Sequence, residues 1–203
     1  MGEKIIAERF AEWAKSKDAK ESRIAVFEHI RDIPYAIIPA FRDPVSGPAG
    51  MLKANKGACG PKHLLLAQMF AKLGIPVKYA TYSFYWNDPA IYYPPELRRL
   101  SEKMPLTGHL ACKARIQDKW VLIDATWDIP LEKAGYPVNK TWDGVSDTKC
   151  AVTYIKEAVH DSLEERLAYD VSIRNAFNEE EKAVYAEFIL KLNAWLDTIR
   201  LNK

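Results

Sequence analysis

No run in this 203-residue chain approaches the ~20 consecutive apolar residues of a membrane span, so no transmembrane helix is predicted. An excess of one charge sign is missing too. The 29 Lys and Arg stand interspersed with 27 Asp and Glu for a net charge of +2, which excludes the basic stripe that nucleic acid needs. Cysteine is scarce: Cys59, Cys112 and Cys150 are odd in number, form no paired framework, and point to free thiols in a reducing compartment. The opening MGEKIIAERFAEWAKS sets acids into a helical pattern where a secretory signal has a continuous apolar segment, and position 6 lacks the Ser or Thr of a myristoylation site. The expectation is a cytoplasmic protein in which the sequon at Asn139 goes unused. No loop has the acidic pattern of a calcium site, and no internal repeat stands out.

What remains is the composition of one globular domain over residues 1–203, with 48% hydrophobic and 28% charged residues. Ile5, Ile6, Phe10 and Trp13 share one helical face, and a second helix runs through Ile24, Phe27 and Ile30 toward Pro34. Residues 34–57 carry four prolines and several glycines and are predicted to be irregular. From Pro61 to Leu73 apolar side chains cover too much of the circumference for a surface helix, so this helix is expected to be buried, with Gly74 and Pro76 as its stop. IPVKYATYSFYW reads as a strand, and residues 87–107 as a proline-rich excursion with one short helix. GHLACKARI and KWVLIDATW are two further strands with Gln117 and Asp118 as a two-residue turn. Val184, Phe188, Leu192, Trp195 and Ile199 mark a long amphipathic helix within a C-terminal helical part at about 158–203. The fold class is α+β: a buried helix on an antiparallel sheet, flanked by N- and C-terminal helices.

Within NKGACGPKHLLLAQMF, Cys59 lies between glycines at the start of the buried helix. A helix N-terminus favours a thiolate through its partial positive charge and free N–H groups, and flanking glycines let a substrate carbonyl come close. Packing explains the same residue, as it does most free cysteines. Of the four histidines, His29 and His160 sit in charge-rich, helical surroundings, and His63, one turn after Cys59, would compete with substrate for the thiol. His109 heads a strand. With Gln117 and Asp118 in the turn, His109 lies opposite Thr126 and shares a face with Asp124, its diagonal neighbour. A carboxylate on one ring nitrogen fixes the tautomer and stabilises the imidazolium, leaving the other nitrogen for the thiol. Singly, Asp124 reads as a buried ion-pair partner and His109 as a strand-end residue; with Cys59 the three read as a triad.

GACGPKHLLLAQMFAKLGIPVKYATY followed by GHLACKARIQDKWVLIDATWD resembles the core of transglutaminase-like proteins, a branch of the papain-like cysteine enzymes. VFEHIRDIPY is similar to the helix before that core, and the resemblance spans about residues 24–128. It implies a papain-like fold with Cys59 as nucleophile, His109 as general base and acid and Asp124 as orienting partner, acting on a peptide, protein or small-molecule amide through a thioester, with no organic cofactor and with calcium dependence left open. Ala111 and Cys112 replace an aromatic that relatives carry after the histidine, Asp118 stands where the turn usually has Gly, and the indole or amide side chain that donates to the oxyanion in relatives has no counterpart here.

Two rivals complete the reading. Cys59, His63, His109 and Cys112 supply zinc-type ligands, but His109 and Cys112 are an odd number apart on a strand and point to opposite faces. A binding module could keep the fold without the chemistry. Of the aromatics Tyr82, Phe84, Tyr85, Trp86, Tyr92 and Tyr93, most are expected in the core, with those on the excursion as a lid; Lys53 and Asn55 read as solvated loop residues.

Overall fold

The computed structural model describes residues 2–15 and 18–201. Helix α1 (Gly2–Trp13) buries Ile6 and Trp13, and α2 (Ala19–Asp32) buries Val26, Phe27 and Ile30, the faces the periodicity predicts. Asp18 caps α2 by accepting the Glu21 N–H at 2.7 Å, and the helix ends just before Pro34.

Residues 34–57 are more regular than expected. A 3-10 turn (Pro39–Phe41) is followed by α3 (Gly47–Ala54). Pro48 falls in the first turn of α3, where a missing N–H costs nothing, so a residue read as a breaker is here a starter. Asn55 closes the helix at φ +49, and Gly57 is demanded by packing, since a Cβ there would lie 2.5 Å from Met51.

Helix α4 (Cys59–Lys72) is the buried helix, with Leu65, Leu66, Met69 and Phe70 wholly inside, and it packs on the sheet. The sheet has four antiparallel strands, β1 (Val77–Phe84), β2 (Thr107–Ile116), β3 (Lys119–Ile123) and β4 (Tyr154–His160), in the order β3-β2-β1-β4. The sequence reading lacks β4. Most of its residues are exposed at the sheet edge, so it has neither an apolar run nor an alternation to show, and His160 ends this strand rather than lying in a helix. Helix α5 (Pro95–Ser101) is the short helix of the excursion.

Helices α6 (Leu163–Asn175) and α7 (Glu179–Leu201) complete the chain. Phe188, Ile189, Leu192 and Leu196 of α7 join Tyr35, Trp86, Tyr93, Trp127 and Tyr136 in a second core beside the one under α4. Polar clamps fix the docking. Arg200 holds the Asp128 carboxylate bidentately at 2.8 Å on each oxygen and donates to the Tyr35 carbonyl at 2.9 Å. Asn193 bonds both the N–H and the C=O of Ile37 at 2.9 Å. The strap Tyr35–Ile37 is thereby pinned beside the start of α4. The architecture is the α+β layout predicted: a buried helix on an antiparallel sheet with helices from both ends around it. Among the described residues, no helix is long and apolar enough to cross a membrane.

Candidate active site

Cys59 is the first residue of α4, and no side chain caps the helix. The N–H groups of its first turn therefore keep their partial positive charge for whatever lies in front of the thiol. Opposite, His109 projects from β2, buried, on the face of Tyr82 and Ala111.

The β2–β3 hairpin has the expected two-residue turn. Gln117 and Asp118 take φ +49 and +62, the two left-handed residues of a type I′ turn, and Cys112 pairs with Ile123 through to Ile116 with Lys119. That register carries Asp124 to the face of His109, and His109 Nε2 lies 2.8 Å from Asp124 Oδ2. The carboxylate is fully engaged: Oδ2 also accepts the Ala151 N–H at 2.7 Å, and Oδ1 the Thr126 hydroxyl at 2.6 Å. With Nε2 on Asp124, Nδ1 is the ring nitrogen left free to serve Cys59, which lines the same cavity as His109.

Burial opposes charge on all three groups, and mutual attraction overrides it. Beside the His109 charge, Asp124 is held down at about 2. Between the Asp124 carboxylate and the Cys59 sulfur, His109 is lifted to about 10. The Cys59 thiol falls below its ordinary value through the His109 charge and hydrogen bond, the Leu110 N–H and the Arg166 charge. With the thiol lowered and the imidazole raised, the electrostatics favour the thiolate–imidazolium pair over the neutral pair.

His63 does not crowd the thiol. It turns into the protein, where Nε2 accepts the Ala125 N–H at 3.0 Å and Nδ1 lies 2.9 Å from the Cys59 carbonyl. An amide N–H can only donate, so Nδ1 carries the proton and donates to that carbonyl. Burial, aided by the His109 and Lys62 charges, holds His63 neutral against the pull of Asp124 and the Cys59 carbonyl, its pKa depressed to about 4. It ties the backbone of Cys59 to the exit of β3. Lys62, also wholly buried, donates to the carbonyls of Arg31 at 2.9 Å and Thr126 at 2.7 Å, with its pKa lowered to about 7 chiefly by burial.

The zinc quartet is not assembled, because the Cys112 thiol faces the His63 carbonyl at 3.3 Å, on the sheet side opposite His109. His109, Asp124 and Cys150 do place ligand atoms within 4.8 Å of one another. Both Asp124 oxygens are taken, however, and burial pushes the Cys150 thiol up to about 12, so this group reads as a hydrogen-bonded network.

A cavity of about 430 Å³ opens over Cys59, Gly60 and His109. A Cβ built on Gly60 meets nothing within 4 Å, so this position keeps the approach to the thiol open. One wall is the pinned strap with Phe41, and a second is Phe84, Trp86 and Trp127. The buried Trp86 Nε1 has no hydrogen-bond partner. The third wall comes from α6, α7 and the turn between them through Arg166, Ile173, Phe177 and Tyr185. The expected lid from the proline-rich excursion is thus corrected: Tyr93 packs into the second core, Tyr92 is exposed, and the C-terminal helices cover the site. Lys53 and Asn55 are exposed and do not line the cavity.

No protein-family model and no curated protein matches the chain. Among solved structures it is similar to a cysteine-protease candidate from Cytophaga hutchinsonii, at 16% identity and a TM-score of 0.43, over 78% of this chain and 50% of that one. The chain spans about half the length of that protein.

Proposed function

We propose that the protein is a cysteine enzyme that cleaves or transfers an acyl group, with Cys59 as nucleophile, His109 as general acid and base, and Asp124 as the residue that orients and charges His109. The observation that carries this reading is the buried Asp124–His109 hydrogen bond at a cavity that His109 and Cys59 both line. The Cys59 thiolate attacks the carbonyl carbon of an amide, and the electron pair moves to oxygen, facing the free N–H groups at the start of α4. Collapse of the intermediate breaks the C–N bond, and the imidazolium of His109 gives its proton to the leaving amine. His109, now neutral, takes a proton from the acceptor that attacks the thioester. Water as acceptor gives hydrolysis and an amine gives transfer; the transglutaminase-like resemblance favours an enzyme able to use an amine.

Exposure to p-nitrophenyl acetate followed by acid trapping and peptide mass spectrometry tests the proposal. An acetyl group on Cys59, absent from Cys59→Ala and slowed in His109→Ala, is expected. Acetylation at Cys112 or Cys150, or none, would refute it. Adding a primary amine to the acylated protein then separates the two fates, since only a transferase diverts acetate into amide.

A further inference from the structure

Basic side chains outnumber acidic ones in the cavity. Arg42, Arg166, Arg174 and Lys182 line it, against a single carboxylate, Asp170. Asp170 is shared: one oxygen meets Arg166 Nη2 at 3.2 Å and the other Arg174 Nη2 at 3.0 Å. Among the described residues, Arg42 donates to the Tyr185 hydroxyl at 3.2 Å.

Arg166 stands apart from the others. Its side chain is 9% exposed, and its Nε is buried without a hydrogen-bond partner. A guanidinium cannot shed its proton to escape that cost, and an unmet donor on a buried charge is expensive. Arg166 and Cys59 line the same cavity, so an anion on Arg166 and the reacting carbonyl can belong to one substrate. The planar fork matches a carboxylate bidentately. Between the two, Ile37, Phe41, Ile173 and Phe177 supply apolar walls for a carbon skeleton.

We infer that the acyl donor carries a carboxylate, seated on Arg166 while an apolar segment spans the cavity to Cys59. This deepens the function proposed above and rests on Cys59 being the reactive thiol. The substrate class is an acidic peptide or another carboxylate-bearing amide.

N-Iodoacetyl-6-aminohexanoate and its neutral primary amide provide the test, being matched in size, carrying an apolar spacer between the reacting carbon and the terminal group, and differing in charge. The readout is the ratio of their rates at Cys59, in which any change of thiolate fraction cancels. In the wild type this ratio should exceed that of 2-mercaptoethanol, and in Arg166→Gln it should fall by about tenfold or more, the size of a lost charge-assisted hydrogen bond. Arg166→Lys, keeping charge without the fork, should lie between. A wild-type ratio equal to that of the free thiol, or one unchanged in Arg166→Gln, overturns the inference. A second measurement needs no variant: succinate should protect wild-type Cys59 from iodoacetamide and neutral succinamide should not. Equal effects of the two overturn the inference, and inorganic phosphate protecting better than succinate overturns the carboxylate assignment. A Cys59 that neither reagent modifies in the folded protein removes the nucleophile itself, which separates failure of the underlying function from failure of this inference.

Discussion

The Nε2 of His109 and the Oδ2 of Asp124 stand 2.8 Å apart, both buried, held in place by a hairpin whose turn lies eight residues beyond the histidine. This contact sets the charge of the site. Burial pushes the His109 pKa down, and the carboxylate is the largest of the influences that raise it instead.

Asp124→Asn should therefore fold and fail. The amide oxygen can still accept from His109 and Ala151, so the backbone stays satisfied while the charge is lost. Turnover should drop on the order of 10³-fold or more, and Cys59 alkylation should revert toward an ordinary thiol profile near ~8.5. In the wild type the reactive pair should extend from below that value up to about 10, where His109 loses its proton. Alkylation rates against pH in both proteins decide this, and identical profiles would remove Asp124 from the mechanism.

His63 predicts a separate, structural pH dependence. Its folded pKa of about 4 lies below the unfolded value, so the unfolded chain binds the extra proton and stability falls as pH drops from ~6.5 to about 4. The His109 contribution is lost only as pH rises through about 10, and that of Asp124 only as pH falls through about 2, so neither titrates in this window. Wild-type unfolding free energy should decline across it by on the order of 3 kcal/mol. In His63→Gln, whose amide can both donate and accept, urea melts should show a shallower decline; an equal slope would mean His63 is not the group responsible.

The hairpin was legible because a two-residue loop leaves one register, and one register places His109 and Asp124 on a common face. Cys59 was legible because glycines and a proline bracket a helix start. His63 offered a weaker signal: a histidine inside a helix apolar on all sides must find partners for both nitrogens, and at four residues after Cys59 one partner is that residue's carbonyl. The cationic wall gave no local signal. Arg166, Asp170 and Arg174 look like a solvated helix face in the chain, and become cavity lining only because α6 packs beside β1, β2 and β4. Edge strand β4 and the proline-started α3 were hidden for the physical reasons given with the fold.

The turn itself gives a stability prediction. Asp118 takes φ +62, where any residue with a Cβ is strained and a type I′ turn prefers Gly. Its ion pair with Arg115 is exposed on both sides and contributes little. Asp118→Gly should stabilise by about 1 kcal/mol, raising Tm by roughly 2–4 °C with activity retained. A lower Tm by calorimetry would show that the exposed pair outweighs backbone strain.

Trp86 tests how the oxyanion is met. A search by chain order finds no donor ahead of Cys59, yet the fold brings Trp86 from just beyond β1 to the cavity wall, its indole N–H buried and unpaired. Its ring packs on Phe84 and Phe188, both with centroids at 5.1 Å, contacts that Phe can keep. Trp86→Phe therefore removes a donor more than it removes packing. Acylation by an amide or ester places negative charge on oxygen, and its rate should fall by about 10²-fold. Alkylation by iodoacetamide displaces iodide at a saturated carbon and creates no oxyanion, so it should run at the wild-type rate. Equal losses in both reactions would assign Trp86 to packing, and no loss in either would leave the N–H groups at the start of α4 as the donors that suffice.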